Sequence, residues 1–304
     1  MKQSNTTISG LDIQSEYLTV AQYNADEHAV MLVAIQPLDG AAGGITSGSV
    51  SAELGTLKSK FKFGAAPINC SLAGEYAVIK KVPVEYQEKD IESALQWELG
   101  QHIIGSVEEY AFDYQHCGTG SGGLEEYLVV AYRKDKVEAF AAELKRHKLI
   151  CGVVDLDLFA LINVFEANYP EAAPRPAVLL HAESTRAKLV VTGGGSYIDH
   201  EIFSYDDSPD PHTMAGRITE ETQRLCTVAG LQESGAGLPL YATGSLFAQA
   251  GYIETVQSIT GTIAPLNPFR KVGCRVGVDN EQLNMYIPQL AVAVGCALQG
   301  ADEV

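Results

Sequence analysis

Cations are scarce in this sequence. Lysine and arginine number 21 against 38 aspartates and glutamates, a formal charge of −17. Phosphate backbones are bound through a cationic surplus, so this balance argues against a nucleic-acid partner. It argues equally against direct seating on anionic lipid, so work at a membrane calls for a protein partner. Long apolar runs are also missing. The cleanest one near the end, LAVAVGCAL at 290–298, is too short to span a bilayer. The opening MKQSNTTISG has no apolar h-region of a signal peptide. The expectation is a soluble, cytosolic protein. The six cysteines (Cys70, Cys117, Cys151, Cys226, Cys274 and Cys296) are scattered without a CxxC, which argues against a disulfide framework or a zinc site and reads as buried thiols. His116 and Cys117 form one adjacent pair with no second pair nearby, so no metal site is expected there.

What is present is core-forming material. Apolar residues make up 46 % of 304 residues, enough for one large or two ordinary domains and too much for disorder. TISGLDIQ, YLTVAQYNA and AVMLVAIQP read as a meander of three strands. Residues 40–48 read as a loop, 51–61 as a helix and 73–84 as a strand. In 88–103 the residues Ile91, Ala94, Leu95, Leu99 and His102 share one helical face. The sole tryptophan, Trp97, sits opposite that face. It either packs under a neighbouring subdomain, the favoured reading, or lines a partner groove. A strand at 125–134 and an amphipathic helix at 134–149 complete a β-α-β-β-α unit over 77–150.

DLDLFALINVFEANY at 155–169 reads as an apolar helix, and PEAAPRP at 170–176 as a linker. Beyond it AVLLHAES, AKLVVTGGG and SYIDHEIF repeat the opening pattern of strand, Ser/Thr turn, strand, turn, strand, which suggests an internal duplication. Helices at 214–230 and 245–260, a strand at 238–244 and a small-residue helix at 288–300 follow. The run Gly193, Gly194 and Gly195 lies between two β-runs and opens no helix, so it is a hairpin turn rather than a phosphate loop. His181 reads as a satisfied inter-lobe side chain. Two lobes that each open strand-turn-strand imply an α/β fold with a cleft between them.

Taken in order, GLDIQS at 10–15, ALQWELGQHI at 94–103, EEYAFDYQ at 108–115, LVVAYRKDKVEAFAAELKRHKL at 128–149, VVDLDLFALINVFEANYP at 153–170, LNPFRKV at 266–272 and PQLAVAVGCAL at 288–298 resemble the PilM family of type IV pilus assembly. The resemblance covers nearly the whole chain, and the division protein FtsA is similar in subdomain layout. It implies a two-lobed actin-like (RNase H-like) ATPase fold with an inserted FtsA-like interaction subdomain. The first lobe would comprise 1–76 and 151–176, closed by helix 288–300. The insert would be 77–150 and the second lobe 177–287.

In that superfamily two glycine-bearing hairpins hold ATP phosphates through backbone N–H groups. The resemblance places the cleft at Asp12, Ser15, Ser184, Thr185, Gly244 and Ser245, with Asp12 organising magnesium if Mg-ATP binds. The motifs are degenerate. The first hairpin keeps Asp12 but has Gln14 for glycine and Thr19 for the phosphate lysine, and Glu16 adds an acid. The second has His181 and Glu183 where aspartate and glycine belong, with Arg186 adding one cation back. The adenosine turn keeps one glycine, Gly244, after Thr243. A charge-assisted hydrogen bond contributes about 1.5–3 kcal/mol, and each ~1.4 kcal/mol is tenfold in affinity. The expectation is therefore no cofactor or weak Mg-ATP, a pseudo-ATPase with no catalytic residue.

The resemblance further implies a scaffold that binds the cytosolic N-terminal tail of a PilN-like inner-membrane protein. The tail would lie in a groove between the first lobe's core and the insert, coupling the membrane complex to the pilus motor ATPase. Localisation would be cytoplasmic, peripheral to the inner membrane through that partner, and a homo-oligomer is compatible. Groove candidates are Ile79, Val82, Val84, Trp97, Tyr127 and Val129, with ordinary subdomain core as their alternative. Two other functions stay open: a nucleotide-dependent actin-like ATPase, and a cytosolic platform component of a type II secretion system.

Overall fold

The first three apolar runs form an antiparallel meander, β1 (Thr7–Ile13), β2 (Tyr17–Asn24) and β3 (Ala29–Pro37). The structure is a computed structural model that describes residues 7–38, 48–60, 67–85, 90–120, 122–231, 237–277 and 280–300; the expected loop at 40–48 lies almost wholly outside them. After α1 (Gly48–Lys60), β4 (Ile68–Leu72) pairs with β1 in parallel. The chain is built as two compact units, Met1–Leu72 with Leu144–Val304, and Ala73–Glu143.

The smaller unit contains β5 (Val78–Val84), α2 (Ile91–Gly100), β6 (Tyr110–Thr119), β7 (Glu125–Arg133) and most of α3 (Lys134–Arg146). Its sheet is antiparallel in the order β5-β7-β6. Asp90 caps α2 by accepting the Ser93 N–H at 3.1 Å, which satisfies one of the helix's orphan donors. Leu95 then packs on Val82, Val84, Tyr127 and Val129. Leu99 packs on Tyr110 and Ala131. Burying one such leucine contributes about 1.5–3 kcal/mol. His102 lies past the end of α2 and is exposed, so the expected apolar face stops at Leu99.

The larger unit resumes at Leu144, inside the segment expected for the insert. Its contacts explain the shift: His147 Nε2 meets Ser51 Oγ at 3.1 Å, and the Lys148 carbonyl accepts Lys58 Nζ at 3.2 Å, both on α1. Next, β8 (Cys151–Leu156) pairs with β4 in parallel, with Leu72 opposite Leu156. That pairing claims Asp155 and Leu156 for the strand, so the helix expected from 155 begins later, as α4 (Asp157–Asn168). The second half repeats the first. β9 (Ala177–Ala182), β10 (Arg186–Gly193) and β11 (Ser196–Ser204) form a second meander. Positive φ at Gly194 (64°) and Gly195 (76°) makes the β10–β11 turn the expected hairpin. α5 (Pro211–Val228) is capped by Asp210 and starts on proline. β12 (Leu240–Thr243) then adds to β9 in parallel. The helix expected over 245–260 is interrupted: Gly251 takes φ 75°, and α6 (Tyr252–Thr260) starts after it. β13 (Ile263–Pro265), β14 (Gly273–Cys274) and α7 (Asn280–Leu298) finish the chain.

The two sheets run β14-β3-β2-β1-β4-β8 and β11-β10-β9-β12-β13. In each, an antiparallel meander is extended beyond its first strand by two parallel strands in series, β4 then β8 from β1 and β12 then β13 from β9, so the duplication read from the sequence is present in the topology; β14 adds in parallel to β3 in the first sheet alone. Small residues on α7 let backbones meet. A Cβ on Gly10 would lie 2.0 Å from the Ala293 carbonyl oxygen, and one on Gly295 would lie 1.9 Å from that of Ala160. α7 thus seals against both β1 and α4. The second sheet is covered by α5 and α6 through Met214, Ala215, Ile218 and Val256.

Candidate functional site

The β1–β2 turn closes with the Gln14 N–H donating to the Tyr17 carbonyl at 2.8 Å. Asp12, buried at the end of β1, accepts Ser71 Oγ at 2.5 Å and Gln14 Nε2 at 2.7 Å. Gln14 Nε2 also donates to the Gln289 carbonyl on α7 at 3.0 Å. The side chain at the expected glycine position thus folds inward and ties the turn to α7. Burial raises Asp12 to about pKa 6; its Ser71 and Gln14 donors pull against that, Asp157 adds to it and Lys188 opposes it. Thr19, at the expected lysine position, is buried, and its hydroxyl has no hydrogen-bond partner among the described residues.

The β9–β10 turn mirrors this arrangement, with the Glu183 N–H donating to the Arg186 carbonyl at 2.8 Å. Tyr205 Oη donates to the Glu183 carbonyl and, at 2.9 Å, to that of Arg186. The two turns meet. The Ser15 N–H donates to Glu183 Oε2 at 2.9 Å, and the Ser15 hydroxyl donates to the same oxygen. Glu183 Oε1 faces Lys188 Nζ at 3.5 Å and His181 Nε2 at 3.7 Å. Lys188 is also bonded to the Asp157 carboxylate. Glu183 is 3 % exposed and Lys188 5 %. Burial alone would raise the Glu183 carboxyl; Lys188, His181 and the two Ser15 donors outweigh it and hold the group well below its usual range. Burial lowers His181 to about 4, so the imidazole is neutral at pH 7, and its Nδ1 meets no partner among the described residues. The expectation of a satisfied His181 is therefore corrected: Glu183 is too far from Nε2 for a hydrogen bond, and burial leaves Nδ1 bare.

At the third motif Gly244 takes φ 107° and donates its N–H to the Pro288 carbonyl at 2.7 Å. The same oxygen accepts the Thr243 hydroxyl at 2.5 Å. A Cβ on Gly244 would lie 2.2 Å from the Ala182 carbonyl oxygen, so glycine here serves close backbone packing. Ser245 Oγ donates to Glu16 Oε2 at 2.8 Å. The structure thus brings together Asp12, Ser15, Gly244 and Ser245. Ser184 and Thr185 stand aside, half-buried and exposed, with carbonyls that accept Ser208 Oγ at 3.3 Å and the Tyr205 N–H at 2.9 Å. Lys188, Asp157 and Gln289 belong to the cluster and were not singled out from the sequence. Lys188 did carry a signal, since a lysine within the strand RAKLVVTG has to find an acid if it is buried. Among the described residues no group of three or more His, Cys, Asp or Glu is placed to hold a metal ion.

In the smaller unit the groove candidates divide. Val82, Val84, Tyr127 and Val129 form the core beneath α2, and Ile79 is 9 % exposed. The first four thus pack beneath α2, and Ile79 is buried as well. Trp97 goes the other way. It is 69 % exposed, which corrects the reading that it is packed away. Near the β6 edge, Tyr114 stacks on Phe112 at 6.4 Å and meets Tyr127 edge-on at 6.0 Å, and His116 bonds Glu125 at 2.5 Å.

Paired sheets of matching topology, each offering a β-turn to the other, define an actin-like ATPase fold with two lobes. A protein of that fold and unknown function from Bacteroides thetaiotaomicron aligns over 94 % of this chain and 96 % of its own, with 10 % identity and a TM-score of 0.53. The PilM-PilN type IV pilus biogenesis complex aligns over 97 % of this chain and 98 % of its own, with 20 % identity and a TM-score of 0.73. The cytoplasmic domain of EpsL, an inner-membrane component of the type II secretion system of Vibrio cholerae, covers 78 % and 82 %, with 14 % identity and a TM-score of 0.52. Residues 10–182 match the family of type IV pilus assembly protein PilM, and the chain belongs to that family.

Proposed function

We propose that this chain is a nucleotide-independent scaffold of type IV pilus assembly. It binds the cytosolic tail of a PilN-like inner-membrane protein, and that partner holds it at the membrane. The observation that carries the nucleotide half is the pairing of Ser15 with Glu183. The donors that a phosphate would need are engaged by a buried carboxylate of the chain itself. A polyphosphate brought to the same turn would meet Glu183 and Asp157 with one lysine between them. Like-charge contact in a site this dry is costly, so the residues present do not fit ATP, and no hydrolytic step is assigned. Family membership and the likeness to a PilM-PilN complex support the partner half. Among the described residues no helix is long and apolar enough to cross a membrane.

Within the smaller unit, Trp97 is the side chain best suited to contact the tail, since exposed tryptophans are over-represented among residues that dominate binding energy. Fluorescence anisotropy with a labelled PilN-like tail peptide tests both halves. Equal affinity with and without Mg-ATP is expected, together with at least tenfold weaker binding in Trp97→Ala. Binding that requires ATP would refute the scaffold reading, and an indifferent Trp97→Ala would refute the contact.

A further inference from the structure

We propose that Glu183 is an internal ligand: its carboxylate occupies an oxyanion site made by the Ser15 N–H, the Ser15 hydroxyl and the Lys188 ammonium. The site is latent in the folded chain. Once the Glu183 side chain is removed, it takes a phosphate-class anion. This inference rests on the reading of the cleft as nucleotide-independent and adds what fills it.

The argument starts from the donors. Carboxylate and phosphate oxygens accept the same charge-assisted hydrogen bonds. A backbone N–H in a tight turn, backed by a hydroxyl and an ammonium, forms an anion-binding concavity. Ser15 supplies the first two to a single oxygen, Glu183 Oε2. Lys188 faces the other, Oε1, at 3.5 Å, with His181 Nε2 beyond at 3.7 Å. Glu183 and Lys188 are both more than nine-tenths buried, so the arrangement is a built site rather than a surface pairing. The two partners come from equivalent turns of the duplicated sheets and are 168 residues apart in the chain. In the present chain the anion is therefore covalently attached to one lobe and reaches into the turn of the other. The consequence is that the lobes are joined without any diffusible ligand. Asp157, on the far side of Lys188, remains in every variant and limits how tightly an added anion can bind.

The test uses the full chain and its Glu183→Ala variant, with orthophosphate and pyrophosphate as probes against chloride at matched ionic strength. Without added anion, Glu183→Ala should melt about 5 °C below the parent. Phosphate or pyrophosphate should return most of that difference in the variant and leave the parent unchanged. Glu183→Gln, which keeps an acceptor for Ser15 without the charge, should fall between the two and gain nothing from phosphate. An unchanged Tm in Glu183→Ala, or a phosphate response equal to that of the parent, would overturn the proposal. If Glu183→Ala does not accumulate folded, refolding from urea decides: recovery in phosphate and not in chloride supports it, and equal failure in both overturns it. Micromolar binding of Mg-ATP by the parent is a separate outcome that would strike the reading of the cleft instead.

Discussion

An ammonium taken out of water costs several kcal/mol unless acids surround it, and Lys188 lies between Asp157 and Glu183. Its position in an otherwise apolar strand is thus a consequence of the two acids, one on α4 and one in the β9–β10 turn that leads into its own strand. Acids without such a cation behave differently. Asp155 is raised to about pKa 6, chiefly by burial and further by Asp157, while the Leu156 N–H at 2.7 Å and a Gln299 donor pull it back. Its folded-state pKa lies above the unfolded value near 4. Its contribution to stability is therefore complete below about pH 4 and is lost as pH rises through 6. Relative to Asp155→Asn, the parent should lose about 3 kcal/mol between pH 4 and pH 7. Urea unfolding of both proteins at the two pH values measures this, and a difference independent of pH would contradict the burial argument.

Elements were easier to read than their ends. Every strand of the first meander was legible, and so were α1, α3, α4 and α5, because apolar period and turn residues agree there; α7 was read only from Pro288, although it starts at Asn280 and carries that proline inside it. The misses have physical causes. Asp155 and Leu156 have helical neighbours in sequence, and only their pairing with β4 makes them strand. The segment after Ser245 has a helical pattern, and the positive φ at Gly251 divides it. Trp97 was expected to pack under a neighbouring subdomain, but α2 buries Leu95 and Leu99 and leaves the opposite face open. The glycine of α7, Gly295, behaves as the small-residue pattern suggested. Gly295→Ala places a methyl 1.9 Å from the Ala160 carbonyl oxygen, with no flexible side chain to give way. The variant should be about 3 kcal/mol less stable, at the upper end of overpacking costs. Gly216→Ala on α5, where nothing lies within 4 Å, should be about 0.5–1 kcal/mol more stable. Chemical denaturation of the pair separates close backbone packing from helix propensity, and similar changes in both would argue against the α4–α7 seal.

At the scale of the whole molecule, the duplicated sheets were visible as a repeated strand-turn-strand pattern. What the turns do was visible only in part. Sequence located Asp12, Ser15, Gly244 and Ser245, and it flagged Glu16 and Glu183 as acids out of place. It could not show that Glu183 reaches Ser15, because that contact joins residues far apart in the chain and depends on how the two lobes close. Nor could it show that Gln14 turns inward to Asp12 and α7 rather than outward. With these contacts, the acids that seemed only to weaken a nucleotide site become the groups that hold the cleft together, and the charge of −17 adds a long-range field opposed to polyanions. The most direct test is calorimetric titration of Mg-ATP into the purified chain. The account predicts no binding heat up to millimolar nucleotide, whereas saturable binding in the micromolar range would show that Glu183 yields to phosphate and would contradict it.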